Sequence, residues 1–98
     1  MAKYLLLWEG DNARIPVDPK ERGAGYKLML AMVKQGIQKG IVKDWGCFIG
    51  ENNGYVVAEG TEEEIGNMAE QYVPFCTMKA HAVASVSQAD ELVKALSG

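Results

Sequence analysis

Tyr4-Leu5-Leu6-Leu7-Trp8, framed by Lys3 and Glu9, places five apolar residues in a row with no polar residue among them. A strand with one wet face alternates apolar and polar side chains, so an unbroken run reads as a strand whose two faces are both apolar. That puts the first strand, residues 3–9, at the centre of a sheet. A second run, Gly54-Tyr55-Val56-Val57-Ala58, gives another strand over residues 55–59. Each run stands beside a helix with a capping signal.

The first helix is announced by Asp18-Pro19-Lys20-Glu21, which supplies an N-cap, a proline at the first helical position and an acid at the third. Tyr26, Met29, Leu30, Val33 and Ile37 recur on one helical face, expected to pack on the sheet, and Gly40 is placed to end the helix in a left-handed conformation. Gly23, Gly25 and Gly36 each cost about 1 kcal/mol against Ala, so this helix depends on packing more than on propensity. Residues 41–50 read as a second strand, with Trp45, Cys47 and Ile49 on one face and Asp44, Gly46, Phe48 and Gly50 on the other. Glu51-Asn52-Asn53-Gly54 reads as the hairpin turn, since Asn-Gly accepts positive φ.

Thr61 and Glu64 form a second capping box, followed by the stripe Ile65, Met68, Ala69 and Tyr72, which Pro74 terminates. From 76 to 86 the alternation is clean: Cys76, Met78, Ala80, Ala82, Ala84 and Val86 share one face, and Thr77, Lys79, His81, Val83 and Ser85 the other. Ser87 with Asp90 reads as the cap of a last helix carrying Ala89, Leu92, Val93 and Leu96, short enough that it must dock on something to persist.

The predicted order is βαββαβ plus a C-terminal helix, a single α+β domain over residues 1–98 with a four-stranded antiparallel sheet. Two helices cover one face of such a sheet. The other face, to which the first strand also presents apolar side chains, needs a cover, and a second copy of the chain is the economical one. The expectation is a homodimer forming a closed or half-closed barrel.

The totals narrow the partners. Net charge is −3, and no window gathers enough Lys and Arg to neutralise a run of phosphates, which argues against nucleic acid. The longest apolar run falls far short of the roughly 20 residues of a spanning helix, and no basic leader with a cleavage site opens the chain. A soluble cytoplasmic protein without membrane contact is expected. Cys47 and Cys76 form no CxxC pair and read as buried, reduced, structural thiols. One His and two isolated Cys cannot make an ordinary four-ligand zinc site, the run Glu62-Glu63-Glu64 suits a helix N-terminus, and no Gly-rich phosphate loop precedes a helix, so no metal or cofactor is implied.

Lys3-Tyr4-Leu5-Leu6-Leu7-Trp8-Glu9, Asp18-Pro19-Lys20-Glu21-Arg22, Lys43-Asp44-Trp45-Gly46 and the segment from Gly54-Tyr55 through Gly60 to Thr61-Glu62-Glu63-Glu64 give the chain, over nearly its full length, a further likeness. It resembles a small uncharacterised prokaryotic family with the ferredoxin-like, dimeric α/β-barrel fold shared by muconolactone isomerase and related proteins. The resemblance implies a ligand pocket between helices and sheet or inside the barrel, used in the wider group for isomerisation, cofactor-free oxygenation, haem chemistry or binding alone.

Five residues are the candidates for such a site. His81, the only histidine, sits beside Lys79 on the polar face of the last strand and has the chemistry of a general base; a solvated or interface histidine is the plainer reading. Trp8, Trp45 and Tyr55, with Phe48, suit the aromatic walls of an organic-ligand pocket or equally a core. Arg14, near Asp11 and Asn12, fits a carboxylate anchor or a solvated loop. The leading expectation is a homodimeric small-molecule-binding module. The alternative is a cofactor-independent isomerase or oxygenase with His81 as proton shuttle, and a third reading is a purely structural or interaction protein.

Overall fold

Strand β1 (Lys3–Gly10) runs antiparallel between β3 (Asn53–Glu59) and β4 (Cys76–Val83), and β2 (Val42–Cys47) pairs with the outer side of β3, giving a sheet of order β2-β3-β1-β4. This computed structural model describes residues 2–98. Helices α1 (Pro19–Gln38) and α2 (Glu62–Glu70) cross one face of the sheet, a 3-10 turn Asn12–Arg14 follows β1, and α3 (Val86–Ser97) closes the chain. The arrangement is α+β and compatible with a ferredoxin-like fold. Among the described residues no helix is long and apolar enough to cross a membrane.

The helix starts follow their local chemistry. The Asp18 carboxylate accepts from the Glu21 amide, and Thr61 and Glu64 satisfy one another's backbone donors in a full capping box. Gly40 adopts φ +81° just past α1, as expected of a residue that stops a helix. The core between helices and sheet gathers Leu6, Trp8, Val33, Val42, Val56, Ala58, Ile65, Met68, Tyr72 and Cys76, with Leu6 and Val56 enclosed on all sides.

Four readings are corrected. The docked face of α1 is formed by Met29, Met32, Val33 and Gly36, so Tyr26, Leu30 and Ile37 lie on its flank and stay largely exposed. Gly36 decides this rotation: a Cβ there would lie 2.7 Å from Val42, so the glycine lets the helix settle closely on β2. The turn between β2 and β3 is not Asn53-Gly54. It is Phe48 to Glu51, closed by the Glu51 amide on the Phe48 carbonyl at 3.0 Å with Gly50 at φ +81°, while Asn53 and Gly54 open β3. The cap of α3 is Ser85 with Gln88 in place of Ser87 with Asp90, and β4 therefore stops at Val83. Cys47, on an edge strand, is exposed; only Cys76 is buried.

Gly54 earns its place inside the strand. It pairs with Trp8 on one side and Cys47 on the other, and a Cβ there would strike the Gly46 carbonyl and come within 2.8 Å of the Trp8 ring. The gap lets the Trp8 indole lie across β3, donate its Nε1 hydrogen to the Gly46 carbonyl at 3.2 Å and stack on Trp45 with ring centres 5.6 Å apart and planes 11° from parallel. Gly54→Ala is expected to destabilise the fold by about 1–3 kcal/mol through overpacking. Chemical denaturation would register this as a lower midpoint at unchanged slope, whereas Gly66→Ala, where a Cβ meets nothing within 4 Å, should not lower it.

Candidate functional site

Strand parity divides the sheet into two unlike faces. Tyr4, Leu6 and Trp8 of β1 face the helices, together with Val56, Ala58, Met78 and Cys76 of the neighbours. The other face carries Leu5, Leu7 and Glu9 from β1, Tyr55, Val57 and Glu59 from β3, and Lys79, His81 and Val83 from β4, in direct cross-strand register. A one-residue bulge at Lys43 shifts the parity of β2, which sets Trp45 on the helix side opposite Val56 and Asp44 on the open side opposite Val57.

This division separates the five candidate residues. Trp8 is 4% exposed in the core, and Trp45, half-buried, stacks on it from the edge strand. Tyr55 lies on the open face, where its ring tilts against Phe48 at 6.5 Å and its hydroxyl donates to the Asp44 carboxylate at 2.8 Å. His81 is exposed on the same open face, opposite Leu5, with β1 between it and the Tyr55 strand. Arg14 sits in the 3-10 turn at the sheet's end, its Nε 3.2 Å from the Asp11 carboxylate, both exposed. The structure thus unites Tyr55 and His81 on one face and the two tryptophans on the other; Arg14 joins neither pair.

A concavity lies where the sheet ends, and its walls hold none of those five. A cavity of about 520 Å³ is lined by Glu9, Asn12, Tyr26, Gly50, Glu51, Asn52 and Asn53. The Asn52 amide donates to the Asn12 side chain at 3.2 Å, and the Asn52 carbonyl accepts from the Gly10 amide at 2.8 Å, so the β2–β3 turn is tied to the end of β1. Gly10 is required here, since a Cβ would collide with the Asn52 side chain. The side-chain oxygen of Asn53 is shielded from solvent and has no hydrogen-bond partner among the described residues. Two carboxylates, three carboxamides and a phenol make a lining suited to hydroxyl or ammonium donors. The run Glu51-Asn52-Asn53 is the sequence signal for this wall, although its composition is equally that of a turn.

Among the described residues no group of three His, Cys, Asp or Glu is placed to hold a metal ion. No protein-family model matches the chain, and no curated protein matches it at significant similarity.

The Tyr55 hydroxyl is held above the ordinary phenol pKa of 10.0, first by its bond to Asp44, then by desolvation and by the charge of that carboxylate. A raised folded-state value means that the contribution is complete below pH 10 and is lost as pH rises through the Tyr55 value. Asp44→Asn is expected to move the Tyr55 titration down toward the ordinary range while leaving that of Tyr72, raised mainly by burial, in place. Ring-carbon NMR titration of the four tyrosines checks it, and an unmoved Tyr55 would show that the bond does not form in solution.

Proposed function

We propose that the protein is a homodimeric module that binds a small organic molecule, paired through the open face of its sheet in the manner of the dimeric α/β-barrel group it resembles. The observation that carries the reading is the composition of that face. Leu5, Leu7 and Val57 adjoin one another at its centre, with Leu7 42% exposed; Val83, 38% exposed, stands beside Lys3 at the end of β4, and Phe48 adds another 43% exposed apolar side chain at the β2 end. Around them stand charges of both signs, Lys3 and Lys79 against Glu9, Asp44 and Glu59. An apolar centre inside a charged rim is the layout of a protein interface. A two-fold axis sets the same patch against itself, so a rim of mixed sign is able to pair with its own copy.

The ligand is read from the cavity at the sheet's end. The carboxylates of Glu9 and Glu51, among the carboxamides of Asn12, Asn52 and Asn53, favour a small molecule that presents several hydrogen-bond donors, a polyol or an amine, over an anion. Native mass spectrometry of freshly purified protein tests both halves of the reading. The expected spectrum shows two chains of 10.7 kDa each with a retained small molecule. Leu7→Asp should convert it to single chains by burying a charge at the seam, and Asn53→Ala should lower ligand retention with the dimer intact. Single chains with nothing bound in the unmodified protein would overturn the proposal.

A further inference from the structure

We infer that α3 is a hinged strap: it closes on its own chain, lying back along β4 over the shelf of small residues that Ala80 and Ala82 form on the helix side of the sheet. The inference does not draw on the dimer reading above, because the shelf and the open face are opposite sides of one strand.

The structure holds the strap open. Every residue of α3 is exposed. Its apolar side, Ala89, Leu92, Val93 and Leu96, is left in water, with Leu92 62%, Val93 59% and Leu96 88% exposed. A free helix of 12 residues is marginal in water, because nucleation is costly and propagation repays it slowly, so this one gains its stability against another surface. With the strap open the chain measures 60 × 25 × 20 Å and its radius of gyration is 16.1 Å, against about 13 Å for a compact chain of this length.

The hinge is one residue. Ser85 accepts from the Gln88 amide at 3.2 Å and the Gln88 side chain accepts from the Ser85 amide at 2.8 Å, so the start of the helix is a rigid unit. The ladder between β1 and β4 ends at Lys3 with Val83, which leaves Ala84 alone between the ladder and the cap. Rotation about the Ala84 backbone swings the helix with its cap intact, as hinge residues at the end of an element do.

The seat is an unfinished edge of the core. Along the helix side of β4 the cover runs out: Cys76 is buried, Met78 half-buried, and Ala80 and Ala82 exposed, although Ala80 pairs with the wholly enclosed Leu6 and Ala82 with Tyr4. Methyl side chains let a helix lie close to the strand and continue the layer that α1 and α2 begin. The spacings along the two elements match. Counted from the hinge, Ala82 and Ala80 lie roughly 7 and 13 Å back along the strand. Ala89 lies roughly 6 Å from the cap along the helix and Val93 roughly 12 Å, with Leu92 just before and Leu96 beyond toward Met78. Small residue thus meets small residue next to the hinge, and the larger side chains fall over Ala80 and past it.

The tether decides between this chain and another. A short flexible connection presents the shelf at an effective concentration on the order of millimolar, whereas docking on a second copy also loses translational and rotational freedom. The chain's own β4 is therefore the favoured seat.

Hydrogen exchange and isotope-filtered NOE spectroscopy on the full-length protein test the closure. The expected result is exchange of the α3 amides about tenfold or more slower than the unprotected rate, with NOEs from the Leu92, Val93 and Leu96 methyls to the Ala80 and Ala82 methyls within one chain. Ala80→Arg/Ala82→Arg, at two positions exposed while the strap is open, should return α3 to the unprotected rate and leave the exchange of β1 and β3 unchanged. Unprotected α3 amides in the parent, protection that survives the double variant, or NOEs found only between labelled and unlabelled chains of a mixed sample would each overturn the inference.

Discussion

The helical layer of this protein is narrower than the sheet beneath it, and most of its other features answer to that mismatch. Two helices enclose Leu6, Val42, Val56 and Ala58 on one face, which is where a single chain of this length finds its core. They stop short of Ala80 and Ala82 at the β4 edge and cannot reach Leu5, Leu7 or Val57, which point the other way by strand parity. Burying an apolar side chain contributes about 25 cal/mol per Å² removed from water. The helical layer draws on half of what β1 offers, and the rest stays available to another surface.

How far the sequence foretold this depends on the range of each interaction. Caps depend on residues three apart, so Asp18 with Glu21 and Thr61 with Glu64 were readable as they stand. The double-sided character of β1 was readable too, because an unbroken apolar run has only one geometric meaning in a strand. The rotation of α1 was not: its apolar residues span two adjoining stripes, and the choice between them is made by Gly36 against Val42, a contact between elements. Asn53-Gly54 misled for a similar reason. Its glycine answers to the Trp8 ring and the Gly46 carbonyl, partners 46 and 8 positions away in sequence, while the turn is made by Gly50.

The candidate site was misread through parity. An aromatic residue in a strand tells nothing of which face it takes until the register is known. Trp8 pairs with Gly54, which places the next residue, Tyr55, on the opposite face, and the bulge at Lys43 then sends Trp45 to the side of Trp8. Four aromatic side chains that look like one wall thus become two separate pairs, one structural and one surface-lying. The cavity at the sheet's end was assembled from segments far apart in the chain, from Glu9 to Asn53, held together by the Asn52 bonds to Gly10 and Asn12.

That cavity and the open face are not independent. Glu9 and Asn53 are cross-strand partners on the open face, whereas Tyr26 belongs to α1 on the opposite side of the sheet, so the cavity wraps around the end where the two faces meet. In the proposed dimer, a second chain laid on the open face stands beside the Glu9 and Asn53 wall. Such a partner would narrow the mouth there and lower the dielectric around the Glu9 carboxylate. Hydrogen bonds to a donor-rich ligand strengthen as water is excluded. Pairing and binding would then reinforce each other: whatever ligand the cavity prefers in the paired state must, by linkage, tighten the pair by the same factor.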